Sequence, residues 1–241
     1  IMINVKLNAD LGEGANIEKL IMPFLSSCSI ACGGHTGDVN SMSEAVKIAV
    51  EHNVKIGAHP SYPDKDGFGR IPINISNQDL SKSLISQINS LNQILNDFKI
   101  NLDHIKPHGA LYNLSAKNYD LAMLIIEVVT QNYDGVYLYV PSGSLIEKLA
   151  LENNVKIKKE VFLDRNYNSD NSLVSRDNEN AIIKSSKLMF DRIENLTKNG
   201  FLLSVSGKKI NLQADTFCIH GDSPNIVDYL NGLNDLCDGK I

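Results

Sequence analysis

The chain has 241 residues, of which 43% are hydrophobic, and carries a formal net charge of -5 at pH 7. This length predicts one large α/β domain, residues 1–241, that can bury a substantial core. The mild acidity argues against a nucleic-acid-binding protein, because such proteins usually carry a basic patch.

The sequence also argues against a membrane or secreted protein. No apolar run approaches the roughly 18 residues that a membrane-spanning helix needs. Polar and charged side chains interrupt the first residues, so no secretory signal is predicted. Cys28 and Cys32 lack the spacing of zinc ligands and are expected to be buried, reduced thiols. We therefore expect a cytoplasmic protein.

Strands and helices are predicted to alternate along the chain. The residue pattern predicts strands at residues 3–9, 26–32, 54–58, 136–140, 155–161 and 215–219. Helices are predicted at residues 17–24, 79–98, 119–131, 145–153, 181–197 and 224–236, and a β-hairpin at residues 201–212. A further helix is expected to start at Ser41, with Glu44 completing a capping box. This β-α-β-α order predicts about seven parallel strands.

The stretch DHIKPHGALYN, residues 103–113, is predicted to be a strand that runs into a loop. Side chains alternate faces along a strand, so His104, Lys106 and His108 are expected on one face. Burying three titratable groups is costly unless each has a partner. The stretch therefore predicts part of a functional site, and the alternative is a solvated edge strand.

Charged and imidazole side chains follow most of the predicted strands. In a β/α barrel the carboxyl ends of the strands meet at one mouth, where active sites lie. Four of the six histidines fall at such ends, beside glycine or proline. Arg70 lies in the loop after the third strand. The other residues expected at the mouth are Asp10, Glu13, His35, His59, Asp64, Lys106, His108, Glu160, Asp164, Arg165, His220 and Asp222.

Common nucleotide-binding and nucleophile motifs are missing from the sequence. It contains no Walker A loop, no complete dinucleotide-binding fingerprint and no Gly-x-Ser-x-Gly elbow. A bound nucleotide would therefore need a different kind of loop.

Five motifs, in this order, carry a resemblance to a known family. They are NADLGEG at residues 8–14, ACGGHTGD at 31–38, GAHP at 57–60 with GFGR at 67–70, KPHGALY at 106–112 and CIHGD at 218–222. The chain resembles the LamB/YcsF family, which supplies the A subunit of the bacterial ATP-dependent 5-oxoprolinase. It departs from the usual family pattern at Gly34, where Phe is usual, and at Ile71, where a second Arg is usual.

The resemblance implies an irregular, seven-stranded β/α barrel of the glycoside hydrolase/deacetylase type. The implied reaction cleaves 5-oxo-L-proline to L-glutamate and hydrolyses ATP to ADP and phosphate. A five-membered lactam is a stable amide, and phosphorylation of its oxygen by ATP would activate the carbon toward water. The implied partners are 5-oxoprolinase subunits B and C, and assembly into a homo-oligomer is left open.

Catalytic roles are expected for Asp10, Glu13, His59, Lys106 and His108. The two histidines suit acid and base, since imidazole titrates near neutrality. The two carboxylates suit the positioning of water or Mg²⁺. The lysine, like Arg70, suits a phosphate or the substrate carboxylate. The residues expected to bind substrate or phosphate are His35, Asp64, Arg70, Glu160, Arg165, His220 and Asp222.

Two other functions are left open. One is a metal-dependent, deacetylase-like hydrolase of amides or carbohydrates, which would need no ATP. Its metal would be held by Asp10 or Asp38 together with His35 and His59. The other is a non-catalytic scaffold, which would bind no ligand at the mouth.

Overall fold

Seven parallel strands close into a barrel at the centre of the computed structural model, which describes residues 5–15, 17–221, 223, 225–239 and 241. The strands of the structure are, in chain order, β1 (Leu7–Leu11), β2 (Ser27–Ala31), β3 (Lys55–His59), β4 (His104–Ile105), β5 (Tyr137–Pro141), β6 (Ile157–Phe162), β7 (Phe201–Leu203), β8 (Lys209–Asn211) and β9 (Thr216–Cys218). The barrel follows the chain from β1 to β6, and β9 closes it between β6 and β1. The predicted seven-stranded barrel is confirmed, and β7 and β8 form the predicted hairpin outside it.

Helices connect the strands and cover them from outside. They are α1 (Glu18–Ile21), α2 (Val39–Glu51), α3 (Asn77–Asp97), α4 (Gly109–Ser115), α5 (Tyr119–Asn132), α6 (Leu145–Glu152), α7 (Ser186–Asn199) and α8 (Ile226–Leu236). Short 3-10 turns lie at Met22–Phe24 and Glu179–Ala181. Among the described residues, no helix is both long enough and apolar enough to cross a membrane.

Helix α2 begins earlier than predicted. Its N-cap is Asp38, whose carboxylate accepts a hydrogen bond from the backbone N–H of Ser41 at 2.9 Å. In return, the Ser41 hydroxyl accepts a hydrogen bond from the backbone N–H of Asp38. The prediction that Ser41 caps this helix is therefore wrong, because an aspartate three residues earlier forms the capping box.

Two other helix predictions need correction. The stretch expected to be a loop through residue 113 contains α4, which begins directly after His108. The carbonyl oxygen of His108 accepts a hydrogen bond from the N–H of Tyr112 at 3.3 Å, so the chain enters a helix almost as soon as it leaves the strand. Helix α7 begins at Ser186 rather than at residue 181, because the side chain of Ser185 caps it.

Polar side chains lie inside the barrel. Asn8 on β1 donates to the hydroxyl of Thr216 on β9 at 2.9 Å. The hydroxyls of Ser27 on β2 and Tyr139 on β5 lie 3.0 Å apart. Alternate residues of the same strands, such as Leu7, are hydrophobic and belong to the buried core formed with the helices. Each strand therefore separates an apolar layer from a polar interior.

The amino end of β4 carries a buried histidine, His104. Its ring stacks on Tyr139, with the ring centroids 3.8 Å apart. Both nitrogens of the neutral ring have hydrogen-bond partners. Nδ1–H donates to the Asp103 carboxylate at 3.1 Å, and Nε2 accepts from the hydroxyl of Ser29 at 3.1 Å. Burial lowers the pKa of His104 from 6.5 to about 4, although the Asp103 carboxylate opposes this shift.

We predict that His104 makes the fold sensitive to acid. The unfolded ring binds a proton below pH 6.5, whereas the folded ring binds one only near pH 4. The stabilisation is therefore complete above the unfolded pKa and is lost as the pH falls through this window, by about 3 kcal/mol in total. Urea unfolding on both sides of the window should show a smaller loss in His104→Gln than in the wild type.

The matched control is His52→Gln, because His52 is exposed at the end of α2. This variant should keep the pH dependence of the wild type. If the free energy of unfolding of His104→Gln depended on pH as it does in the wild type, His104 would not be the source of the acid sensitivity.

Candidate active site

The candidate site lies at the mouth formed by the carboxyl ends of the barrel strands. Its side chains are Asp10 and Glu13 from β1 and the following loop, His35 from the loop after β2, His59 from β3, Lys106 and His108 from the segment after β4, Glu160 and Asp164 from β6 and the following loop, and His220 from the loop after β9. The barrel therefore brings together side chains that are far apart in the sequence.

Two glycines shape the loops that carry the histidines. Gly37 has a φ of +94°, and a Cβ there would lie 2.5 Å from the carbonyl oxygen of Ala31. The loop that carries His35 can turn this tightly only with glycine. Gly109 has a φ of +54°, and its Cβ would lie 2.6 Å from the carbonyl oxygen of Gly69. The backbone of the loop at residues 67–70 therefore packs directly on the start of α4.

A buried ion-pair cluster joins three strands at the mouth. Lys106 Nζ lies 2.9 Å from Asp10 Oδ1 and 2.8 Å from Glu160 Oε1. It also lies 3.2 Å from Cys218 Sγ, and the Tyr112 hydroxyl donates to Glu160 Oε2 at 2.7 Å. Burial alone would lower the pKa of Lys106, but the charge of Asp10 and further negative neighbours raise it well above its ordinary value. Lys106 therefore stays charged, and carboxylates balance its charge.

Three imidazoles and one carboxylate lie next to this ion-pair cluster, and we call Glu13, His35, His59 and His108 the histidine cluster. Glu13 Oε1 lies 2.9 Å from His35 Nε2, 3.3 Å from His108 Nδ1 and 3.7 Å from His59 Nε2. The rings of His35 and His108 are stacked, with centroids 3.6 Å apart. His59 Nε2 also lies 3.3 Å from Asp10 Oδ2. Asp10 therefore contacts both clusters.

Backbone carbonyls orient two of these rings. His59 Nδ1 lies 2.7 Å from the carbonyl oxygen of Lys106, and His108 Nε2 lies 3.0 Å from that of Phe68. A carbonyl oxygen only accepts hydrogen bonds, so both of these nitrogens carry hydrogen. The other nitrogens, His59 Nε2 and His108 Nδ1, face each other at 3.0 Å. A hydrogen bond between them requires a proton on one of the two.

The pKa shifts indicate where that proton lies. Burial alone would raise the pKa of Asp10 and of Glu13, but charge from His59 in the first case and a hydrogen bond from His108 in the second hold both well below their usual range. Burial lowers the pKa of His108, and it lowers that of His35 to about 4. Burial would lower the pKa of His59 too, but the Asp10 carboxylate raises it. These shifts favour His59 over His108 as the site of the shared proton, between the carboxylates of Asp10 and Glu13.

Comparison with known proteins identifies the family. The family model described as the LamB/YcsF family matches residues 5–238. The chain belongs to the LamB/YcsF family. It is 37% identical over 234 residues to a protein named as the A subunit of 5-oxoprolinase from Bacillus cereus (strain ATCC 10987 / NRS 248), with 95% of this chain and 92% of that protein covered. A protein of the same name from Pyrococcus abyssi (strain GE5 / Orsay) is 36% identical over 236 residues, with 96% and 92% covered.

A solved structure shares the whole LamB/YcsF barrel. The lactam utilization protein from Thermus thermophilus has a TM-score of 0.89 and 31% sequence identity to this chain, and the match covers 98% of this chain and 96% of that protein. The family resemblance expected from the five motifs is thus confirmed over nearly the full chain.

A second histidine and carboxylate pair lies close to the ion-pair cluster of this LamB/YcsF barrel. His220 Nδ1 lies 2.9 Å from Asp164 Oδ2, and the same oxygen accepts from the backbone N–H of His220 at 2.9 Å. The His220 ring stacks on Phe162, with centroids 5.1 Å apart, and that phenyl centroid lies 5.2 Å from Lys106 Nζ. Burial alone would raise the pKa of Asp164, but the charge of His220 lowers it. Asp164 therefore orients His220 and leaves Nε2 on the opposite side of the ring.

Arg165 and Asp38, two further candidate site residues, have contacts within the protein. Arg165 is buried, and its guanidinium donates to the carbonyl oxygen of Val174 at 2.6 Å. Asp38, an alternative metal ligand, caps α2. Asp222 lies outside the described residues. Substrate binding by Arg165 and Asp222 stays a prediction.

The loop after β3 places its two charged residues differently. The Asp64 carboxylate accepts a hydrogen bond from the N–H of Gly67 at 2.9 Å, which closes the loop on itself. The Arg70 guanidinium is exposed and lies 5.0 Å from the ring centroid of Phe68. Because the Phe68 carbonyl orients His108, Arg70 lies beside the histidine cluster. Roles for Asp64 and Arg70 in substrate binding stay predictions.

Three contacts of the site had no prediction from the sequence: the Tyr112 hydroxyl, the Phe68 carbonyl and the Cys218 thiol. Tyr112 lies one helical turn after His108, so recognition of α4 would have placed it at the mouth. Phe68 acts through its backbone, for which side-chain chemistry gives no signal.

Position 34 has room for glycine only. A Cβ at Gly34 would overlap the side chains of Gln87 and Ser61. Gln87 is buried and bonds both the backbone N–H and the carbonyl oxygen of Ser61 at 2.9 Å. In this chain Gln87 thus occupies the space that a larger residue at position 34 would need. Ile71, where a second Arg is usual, is 61% exposed.

We predict that Lys106→Met strongly destabilises the protein. The change leaves Asp10 and Glu160 buried without the cation that lies between them. The free energy of unfolding, measured in urea, should fall by about 3–5 kcal/mol. Lys187→Met is the matched control, because Lys187 forms an exposed ion pair with Asp191 and its loss should change stability little. Equal losses in the two variants would contradict the buried ion-pair cluster.

Proposed function

We propose that this chain is the A subunit of an ATP-dependent 5-oxoprolinase. In the proposed reaction, 5-oxo-L-proline is cleaved to L-glutamate while ATP is hydrolysed to ADP and phosphate. The relatives named as 5-oxoprolinase A subunits support the proposal, since they match the chain over almost its full length. The structural observation that carries it is one barrel mouth with a buried charge cluster and two sets of oriented imidazoles.

Opening a five-membered lactam breaks its C–N bond. Water adds to the carbonyl carbon, negative charge develops on the carbonyl oxygen, and the ring nitrogen gains a proton before it leaves as an amine. Phosphoryl transfer from ATP to that oxygen, with release of ADP, would make the carbon more reactive. Cleavage of the C–N bond would then leave an acyl phosphate, and a second water would hydrolyse it to L-glutamate and phosphate. A site for this reaction needs a positive centre for the oxygen and a residue that moves protons.

The protonated imidazole of the histidine cluster is the proposed cation for the developing charge, and the carboxylates of Asp10 and Glu13 hold it in place. The proton is assigned to His59, whose Nε2 faces His108 Nδ1 at 3.0 Å. Lys106 supports this arrangement indirectly, because it holds Asp10, and Asp10 contacts His59 at 3.3 Å. A cation held this firmly in a buried site stabilises developing negative charge without rearrangement.

His220 is the proposed proton carrier. The sequence predicts His59 and His108 as acid and base, but their second nitrogens point at each other and at Glu13. Asp164 orients the His220 ring and leaves Nε2 on its other side, as a carboxylate orients the histidine of hydrolase triads. We therefore assign proton transfer to His220 and charge stabilisation to the histidine cluster.

ATP is the proposed co-substrate, with Mg²⁺ on its phosphates, and subunits B and C are the proposed partners. The word "subunit" in the names of the relatives supports an enzyme of several chains. Arg70, exposed beside the histidine cluster, is the proposed contact for a phosphate or for the substrate carboxylate.

A metal-dependent hydrolase of amides or carbohydrates is the second candidate. The histidine cluster favours it, because three imidazoles and a carboxylate with ligand atoms within 4.8 Å of one another suit a metal ion. Such an enzyme would open its substrate without ATP, which separates it from the first candidate.

We predict that glutamate is released from 5-oxoproline only when this chain, subunits B and C and ATP are all present. Glutamate and ADP should form together, since the proposed reaction couples the two. The control omits ATP from the complete mixture. Release without ATP would favour the metal-dependent hydrolase, and no release from the assembled mixture would overturn the proposed function.

In the same assay, His220→Ala should lower kcat by about 100-fold or more and should change the pH profile, because a positioned acid or base contributes at least about that factor. His52→Ala is the matched control, since His52 is exposed at the end of α2. Wild-type kcat in both variants would remove His220 from the reaction.

A further inference from the structure

Around the histidine cluster, carboxylates outnumber the fixed cation that contacts them. Among the described residues of this contact network, Asp10, Glu13 and Glu160 are acidic and Lys106 is the lysine. With neutral imidazoles, three carboxylates and one lysine leave two formal negative charges in a mostly buried site. A divalent cation would balance them, whereas the single shared proton balances only one.

The four residues of the histidine cluster each place one possible ligand atom near the others. His59 Nδ1 and His108 Nε2 are bonded to carbonyl oxygens. The nitrogens left to bind a metal, once the shared proton leaves, are therefore His59 Nε2 and His108 Nδ1, which lie 3.7 and 3.3 Å from Glu13 Oε1. One ligand atom from each of the four residues lies within 4.8 Å of the other three. A proton can bridge only one pair of these atoms, but a metal ion can bind all four.

Two of the three rings, those of His59 and His108, have the surroundings of metal-bound histidines. A histidine that binds a metal usually donates its other N–H to a carbonyl or carboxylate, which fixes the tautomer. His59 donates to the carbonyl oxygen of Lys106, and His108 donates to that of Phe68. The His35, His59 and His108 residues are 2%, 1% and 7% exposed, so the rings are rigidly packed. The Glu13 side chain is 22% exposed, which leaves one side open to an incoming ion and to substrate.

We propose that Glu13, His35, His59 and His108 bind one divalent transition-metal ion of the zinc type. In a tetrahedral zinc site with ligand distances of about 2.0–2.1 Å, neighbouring donor atoms lie about 3.4 Å apart. The distances of 2.9, 3.3 and 3.7 Å from Glu13 to the three histidines, and of 3.0 Å between His59 and His108, lie around this value. Mg²⁺ prefers oxygen ligands in an octahedron, so three imidazoles disfavour it.

This ligand set differs from the one that the sequence predicts. His35 and His59 belong to both sets, but Asp10 Oδ1 lies 2.9 Å from Lys106 and balances that charge. Glu13 and His108 complete the set in its place. The metal site does not depend on the proposed substrate, because a bound ion would polarise a carbonyl oxygen or acidify a water in either candidate reaction.

The test is metal binding by the purified full chain. After removal of metals with a chelator, the folded protein is titrated with Zn²⁺, Co²⁺ and Mg²⁺ by calorimetry, and bound metal is measured by elemental analysis. We expect one equivalent of Zn²⁺, a visible absorption spectrum of low-symmetry Co²⁺, a higher unfolding temperature with Zn²⁺, and no binding of Mg²⁺ at the same concentrations.

Two variants locate the ion, and two control for general effects. Loss of a residue that only supports a metal ligand usually weakens metal binding by at most about 100-fold. His108→Ala and Glu13→Gln remove ligands themselves, so each should weaken Zn²⁺ binding by more than about 100-fold. His220→Ala, at the mouth but outside the cluster, and His52→Ala, on the surface, should bind Zn²⁺ as the wild type does. Circular dichroism confirms that each variant is folded.

The outcomes separate this inference from the proposed function. Absence of Zn²⁺ binding by the folded wild type, equal binding of Mg²⁺, or wild-type affinity in both cluster variants would overturn the metal site. Zinc binding lost in both variants supports it, even if the complete mixture releases no glutamate from 5-oxoproline. Conversely, ATP-dependent glutamate release by a chain that binds no Zn²⁺ would support the proposed function alone.

Discussion

The charge of Lys106 holds the mouth of this barrel together. From the end of β4 it contacts Asp10 on β1 and Glu160 on β6, at 2.9 and 2.8 Å. Removing a lysine from water costs several kcal/mol, and carboxylates offset this cost only at hydrogen-bonding distance. Three strand ends must therefore keep their relative positions for the lysine to stay charged. The contacts also form a ring, because Asp10 holds His59 and His59 bonds the carbonyl oxygen of Lys106.

The polar interior distinguishes this barrel from one filled with apolar side chains. Hydrogen bonds such as those between Asn8 and Thr216 and between Ser29 and His104 run between strands inside the ring. The hydrophobic core lies instead between strands and helices, where Leu7 and its neighbours are buried. Stability is therefore supplied mainly by the outer layer, and the inner layer is available to orient charged groups. A mouth with several buried charges is compatible with this division.

Much of the fold could be predicted from the sequence. One face of each barrel strand packs on helices and the other lines a polar interior, so alternating apolar and polar residues mark the strands. The mouth could be predicted as well, since strand ends meet in a barrel, and Lys106 and His220 lie there as expected. The sequence does not predict which charged side chains contact each other. Asp10 forms an ion pair with Lys106. This contact depends on distances across the barrel, which only the assembled strands define. The bond from the Arg165 side chain to the carbonyl oxygen of Val174 could not be predicted either.

Closure of the barrel also sets the order in which the site can form. Asn8 and Thr216 lie 208 positions apart in the chain, and their strands must pair before the ring is complete. Contacts of such high sequence separation form slowly. On the ribosome, β1 to β6 are made first, and the outer edges of β1 and β6 stay open until β9 arrives between them. The mouth is therefore complete only after β9 has paired with both neighbours. A nascent chain that stalls before β9 exposes two unpaired strand edges, which are prone to aggregation.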